Sequence, residues 1–289
     1  TEIEAAVSVK VCYAHDFSWT MDTNGVESVA CQNCGKRCTH KAPDADTGKC
    51  PECNFVLEAQ VGDAYYAYFS SAAATAAEDG GTVKLLCNVT ATGPYNIATL
   101  PSGTYTLDLA GHTLHGDASA LVVVTNSEDG TAAVTIQNGT VIGDNGTATI
   151  PVIGANMTLN AAVANRRNDI FSFPALRAEN KGGTGRRMTI EDGTFIGGVY
   201  CYSKDSTMQI MRGSFEKGGS STNFSLKANY YDVDQRKEID LPLAAFIADG
   251  SYVTKNADGT RLDLTNLSEI EDAVTVKVCT AHDFSWSMD

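Results

Sequence analysis

Between Leu107 and Phe215 one short pattern recurs four times, and it limits what this chain can fold into. Leu107-x-Leu109-x3-Thr113-Leu114-x-Gly116 aligns with Val134-x-Ile136-x3-Thr140-Val141-x-Gly143. It aligns also with Met188-x-Ile190-x3-Thr194-Phe195-x-Gly197 and with Met208-x-Ile210-x3-Ser214-Phe215. Two alternating apolar residues mark a strand with one buried face, a small polar corner follows, and the next apolar residue points back inward. Successive starts lie 27, 54 and 20 residues apart, so the middle interval reads as two units. Such segments stack as parallel strands about 4.8 Å apart, each turn of chain burying its inward residues on the next. The predicted fold is all-β, a single-stranded parallel β-helix; a sandwich would want hairpin turns at closer spacing. Val83 to about Val253 leaves room for roughly seven turns.

One helix is predicted, over 63–78, with Asp63 as its cap, abundant Ala, and Tyr65, Phe69, Ala72, Ala73 and Ala76 at helical spacing. It is placed to cap the first turn and cover an otherwise exposed sheet edge. At the far end, Asp258-Gly259 predicts a hairpin joining Tyr252-Val253-Thr254 to Arg261-Leu262-Asp263.

Six of the nine cysteines fall between Cys12 and Cys53 and divide into two sets. Cys12, His15, Cys31 and Cys34 form one; Cys38, His40, Cys50 and Cys53 form the other. Each supplies three thiols and one imidazole, the donors that tetrahedral structural zinc takes. Cys31-x2-Cys34 and Cys50-x2-Cys53 have the spacing of a zinc ribbon. One four-cysteine site with idle histidines, or a set of disulfides, is the alternative. Four protein ligands per ion leave no open position, so the expected role is structural, with about two zinc ions per chain. Fewer than 60 residues with few large apolar side chains need such a staple.

Residues 1–22 and 268–289 are identical at 17 of 22 positions, and three of the five differences are Ser/Thr exchanges. An offset of 267 residues is too long for an ordinary solenoid repeat. The expectation is a tandem module, one copy followed by the start of the next, with neighbouring copies as its partners; duplication of one strand hairpin is the alternative. The expected division is a zinc-ribbon-like domain over 1–57, the β-helix with its capping helix over 58–255, and a closing hairpin with the next repeat's start over 256–289.

Thr82-Val83-Lys84-Leu85-Leu86 after a helix, followed by the run Tyr105 to Gly116, resembles the opening coils of pectin-lyase-like β-helix modules. These are right-handed and occur in large secreted or wall-attached proteins of Gram-positive bacteria. Phe246 to Gly250, Asp258-Gly259 and Val276-Lys277-Val278-Cys279 with His282 resemble the joint where such modules meet a Cys/His-rich linker. The resemblance covers most of the chain and implies a right-handed coil, an extracellular or cell-wall location and a stalk, adhesin or glycan-contacting role. It transfers no catalytic residue.

Composition narrows the partners. A formal charge of −14 repels nucleic acid. The longest purely apolar run, Ala120 to Val124, is far short of the roughly 20 residues of a membrane span. No charged-then-apolar leader opens the sequence at Thr1.

Enzymes on the resembled fold cleave acidic polysaccharides, which makes Asp108, Asp117, Asp192 and Asp205 candidate hydrolytic carboxylates and Arg186-Arg187 with Lys181 or Lys204 a candidate lyase set. Corner and loop roles compete for all of them. His112 and His115 flank a corner without a third ligand, and Cys87 and Cys201 read as buried thiols. Tyr200, Tyr202, Tyr230 and Tyr231 could stack on sugar rings, with Phe171 and Phe173 in an excursion between Asn156 and Gly185. The leading expectation is a non-catalytic structural or adhesive module; a polysaccharide lyase or hydrolase, or a carbohydrate-binding module, is the alternative.

Overall fold

A computed structural model describes residues 11–12, 14–22, 27–91, 99–101, 103–116, 123–124, 133–143, 150–153, 156–165, 176–179, 187–202, 207–218, 222–232 and 234–280. The chain is mostly β, with one α-helix among the described residues, Phe69–Asp79. No helix there is long and apolar enough to cross a membrane.

Alternation sets the strands. In Thr104–Asp108, Tyr105 and Leu107 are buried, while Thr106 and Asp108 on the opposite face stay partly exposed. Parallel pairing then repeats that choice from strand to strand. Thr82–Leu85, Thr104–Asp108, the first halves of Ala133–Gly143 and Asn156–Asn165, Arg187–Asp192 and Thr207–Ile210 form one stack. It files Val83, Leu107, Ile136, Leu159, Ile190 and Ile210 one above another, all fully buried.

A second stack joins Val89–Ala91, Thr113–Gly116, the second halves of the two long strands, Thr194–Ile196 and Gly213–Glu216. Its buried file is Val89, Leu114, Val141, Val163, Phe195 and Phe215, and the last two rings stack at 5.1 Å. The third stack runs Thr99–Leu100, Val123–Val124, Ile150–Ile153, Leu176–Glu179, Val199–Tyr202 and Leu226–Asp232. Each stack is six strands deep among the described residues. The two other stacks supply the long connection that parallel neighbours require.

Several expectations change. The unit skipped in the 54-residue interval is Asn156–Asn165, a strand rather than an excursion, with Met157 between Val134 and Met188 in the ladder. Phe171 and Phe173 lie outside the described residues. The ungapped alignment placed Leu107 on Val134, whereas the structure pairs Tyr105 with Val134 and Leu107 with Ile136. The cause is the corner. From 107 to 114 the chain takes seven steps, against five from 136 to 141, and the surplus holds Leu109 buried at the bend.

The helix begins at Phe69, not Asp63, because Ala64–Tyr66 is claimed by an antiparallel pairing with Ala59–Val61. Ala59–Val61 in turn pairs antiparallel with Thr82–Leu85 and covers the first edge, and Phe69, Ala72, Ala73 and Ala76 pack into the core over it. At the far end the Asp258-Gly259 turn forms, but its hairpin shrinks to one bridge, Thr254 to Arg261. Ser251–Lys255 instead pairs along its whole length with Val274–Val278. These closing strands occupy chain that the seven-turn expectation had assigned to a further turn.

Candidate metal centres

A three-stranded antiparallel sheet, Phe17–Met21, Glu27–Cys31 and Arg37–Cys38, builds the cysteine-rich head. Its strand ends place Cys31 and Cys38 directly. Past each Cys-x2-Cys the backbone repeats one turn. Gly35 N donates to Cys31 O and Cys31 N to Lys36 O; Asn54 N donates to Cys50 O and Cys50 N to Phe55 O, all at 2.8 Å. Gly35 and Asn54 both take left-handed φ, so the two thiols of each pair turn toward one point. His40 also has positive φ (42°), uncommon for a histidine, which lets a ligand follow Cys38 after a single residue.

The ligand atoms group as two Cys3His tetrads, each with all four atoms within 4.8 Å of one another. This is the predicted division, and not one four-cysteine set with idle histidines. In the first tetrad Cys12 Sγ is 3.8 Å from Cys31 Sγ and 3.5 Å from His15 Nδ1, and Cys34 Sγ is 3.4 Å from the same nitrogen. In the second, Cys38 Sγ is 3.7 Å from both Cys50 Sγ and His40 Nδ1, and Cys53 Sγ is 3.3 Å from His40 Nδ1. The first is partly exposed and the second entirely buried. All nine cysteines are thiols, and these separations are far beyond the roughly 2.05 Å of a disulfide.

One thiol in each tetrad is primed to ionise. Burial raises the Cys31 thiol, but His15 and the Asn33 and Cys34 amides outweigh it and bring it down to about 6. Cys50 is likewise brought to about 6 against its burial, by the Lys41, Cys53 and Glu52 amides and by His40. Desolvation and the neighbouring thiols push Cys12 up to about 11 and Cys53 up to about 12. A cation entering each site would meet one thiolate and discharge protons from the others.

Two part-buried carboxylates, invisible to any spacing argument, act at the start of the helix, and one of them also faces the second tetrad. Glu27 Oε1 lies 3.2 Å from His40 Nε2, close enough for charge pairing although the N–H points off the oxygen. The same carboxylate accepts the backbone N–H of Ala67 at 3.0 Å and of Tyr68 at 3.1 Å, and Glu58 accepts that of Phe69 at 2.8 Å. The helix start, lacking a side-chain cap of its own, is therefore capped from a distance, and the negative charge sits at the positive end of its dipole. With Nδ1 turned to the thiols, Nε2 is left to carry the ring proton, and Glu27 stands beside it where a second-layer carboxylate commonly stands around metal-bound histidines. Trp19 packs on Tyr68 at 4.3 Å, and Lys36 to Glu52, 2.6 Å apart, links the two turns.

The other candidates scatter. Asp108 accepts from the Ala110 amide and Asn138, and Asp192 from the Gly193 amide, so both build corners. They occupy the same ladder position three strands apart, about 14 Å at 4.8 Å per strand, wider than the roughly 9.5 Å limit for a hydrolytic pair. Asp117, Asp205, Lys181, Lys204, Arg186 and His282 lie outside the described residues. His112 and His115 join no cluster of three ligands among the described residues. Cys201 is buried against Met208, and Cys87 is only half-buried.

Tyr200 gives its hydroxyl to Asn229 and is paired across strands with Lys227, while Tyr202 is paired with Asn229. Tyr230 and Tyr231 face Ile239 and Glu238 of the closing strand Lys237–Asp240. An open groove over the corners is lined by Asn138, Asn160, Asp192, Arg212 and Tyr252.

Set against known proteins, the chain matches no family model, and no curated protein or solved structure is significantly similar to it.

Proposed function

We propose that each tetrad holds one structural zinc ion and that the chain is a non-catalytic module of a repetitive extracellular surface protein. In this reading the body is a right-handed parallel β-helix, the head a zinc-ribbon-like joint, and neighbouring copies the main partners. The observation that carries the metal assignment is the shape of the tetrads. Thiolates about 2.3 Å from a tetrahedral zinc stand about 3.8 Å apart, and a thiolate and an imidazole nitrogen about 3.6 Å apart. The sulfur–sulfur contacts of 3.7 and 3.8 Å and the sulfur–nitrogen contacts of 3.3–3.7 Å fit those edges. Zinc would supply folding free energy on the order of 10 kcal/mol to a head whose own cluster has six buried residues, three of them ligand cysteines. Three stacks of parallel strands, the first covered at its start and the second and third at their ends by antiparallel strands, support the coil.

Metal analysis of the purified chain should find two zinc ions per molecule, released by a chelator together with six titratable thiols. A metal-free sample without free thiols would overturn the assignment in favour of disulfides. The second reading is a glycan-binding module, favoured by the open groove that Tyr252 lines together with Asn138, Asn160, Asp192 and Arg212. A glycan array tests it, and a reducing-end assay on any glycan bound tests for cleavage.

A further inference from the structure

The segment that closes the body is itself the beginning of the repeat. Val274–Val278 pairs antiparallel with Gly213–Phe215 on one side and Ser251–Lys255 on the other, burying Val274 and Val276 against the last layer. Upstream, Glu269–Ile270 pairs with Leu226–Lys227, and Ser225 Oγ donates to the carbonyls of Ile270 and Asp272. Cys279 N then donates to Gly250 O at 2.8 Å. One stretch, Ser268 to Cys279, thus spans two of the three stacks and satisfies their open edges.

Its sequence, SEIEDAVTVKVC, repeats the opening TEIEAAVSVKVC at nine of twelve positions. The three inward residues Ile270, Val274 and Val276 match Ile3, Val7 and Val9. The Ser225 bonds go to backbone carbonyls, so the Ala5/Asp272 difference leaves them intact and removes only the Lys255–Asp272 ion pair.

We infer that the folded unit is out of phase with the sequence repeat: the open end of each body is the docking surface for the first eleven residues of the next copy. This rests on the tandem-module reading above. It also gives the first tetrad a specific task. The sealing segment runs directly into Cys12 and His15, so these two ligands are tethered to one body while Cys31 and Cys34 belong to the head of the next. The ion in that tetrad pins the angle between successive bodies; the buried second tetrad, tied through Glu27 to its own helix, does not.

The test compares identical substitutions in the two copies within the 289-residue chain. Val276→Asp should lower the urea midpoint of the body, while Val9→Asp, with no preceding body to seal, should leave it in place. A milder Val276→Thr keeps the chain folded and should speed amide exchange at 213–215 and 226–228 by about tenfold or more, through the buried hydroxyl. A labelled peptide of residues 1–11 should bind the Val276→Asp protein and not the parent. Equal effects of Val9→Asp and Val276→Asp, or no effect of either with no peptide binding, would overturn the inference. Zinc content measured on the same samples separates the two ideas. Asymmetry without zinc keeps the seal and discards the metal assignment, and two zinc ions without asymmetry does the reverse.

Discussion

Replacing Glu27 by Ala tests whether one buried carboxylate couples the second metal tetrad to the β body. Its side chain is 8% exposed, and its two oxygens accept the Ala67 and Tyr68 amides at 3.0 and 3.1 Å. Each part-buried donor stranded by the substitution costs up to about 1–3 kcal/mol, and a water reaching one of them would spare part of that. The expected loss is therefore about 3–4 kcal/mol. Glu27→Gln keeps one acceptor oxygen and should lose roughly half as much. Urea unfolding of the zinc-loaded chain, followed by Trp19 fluorescence against Tyr68 in a Trp286→Phe background, reads this directly. With a slope of about 2–3 kcal/mol/M the Ala variant should shift its midpoint by roughly 1 M or more. His40 also loses its partner, so zinc affinity at the second tetrad should fall about 10–100-fold while the first is untouched. A stability change within about 0.5 kcal/mol and unaltered affinity for both ions would refute the coupling.

Alkylation of the native zinc-loaded protein should modify at most the partly exposed Cys87 and Cys279; a chelator should add the six tetrad thiols, and only unfolding should add Cys201, whose thiol burial pushes far up. Gly193→Ala should cost about 3 kcal/mol or more in a denaturant titration, because a Cβ there would sit 2.1 Å from Ala161 O on a backbone with φ of +143°. An unchanged midpoint would contradict the stacking at that corner. Burial, with the nearby Glu27 charge, raises the Glu58 pKa, so its ionisation is harder in the folded chain than in the unfolded one. That penalty is absent below the ordinary carboxylate range, grows as pH rises from there toward the raised folded value, and is constant above it. Glu58→Gln, which keeps an oxygen for the Phe69 amide, should therefore gain stability over the parent at pH 7.5 relative to pH 5. An equal difference at both pH values would refute it.

The apolar files were legible because a period of two and a repeated corner leave a direct trace in residue order. Phe195 over Phe215 and Leu114 over Val141 follow from it. Corner length leaves none, and the register of Leu107 was misplaced by two residues for that reason. The ligand sets were legible because thiols and imidazoles at short spacing have few other uses. Glu27 was not, since it acts on amides 40 and 41 positions away that any sequence would supply. The helix start failed similarly: an Asp before an Ala-rich run is a good cap signal, but Ala64–Tyr66 gains more from strand pairing than from one added helical turn.

Both ends of the body obey one constraint. A stack of parallel strands leaves a row of unpaired amides and carbonyls at each end, and continuing it in parallel would only move that row outward. Here the opening strand of the first stack is met by Ala59–Val61, and the last strands of the second and third by Val274–Val278, Lys237–Asp240 and Glu269–Ile270, every one antiparallel to the strand it covers; the first stack ends on a single parallel bridge, Ile210 to Ile247. An antiparallel partner brings a reversed hydrogen-bond pattern and a short connection, so it stops the stack instead of extending it. The first cover is continuous with the head and its two Cys/His tetrads, and the last includes Ser268 to Cys279, whose sequence repeats that of residues 1–12. Because a cover also excludes an intruding strand from another molecule, end-to-end pairing of two such stacks is blocked wherever a cover is in place.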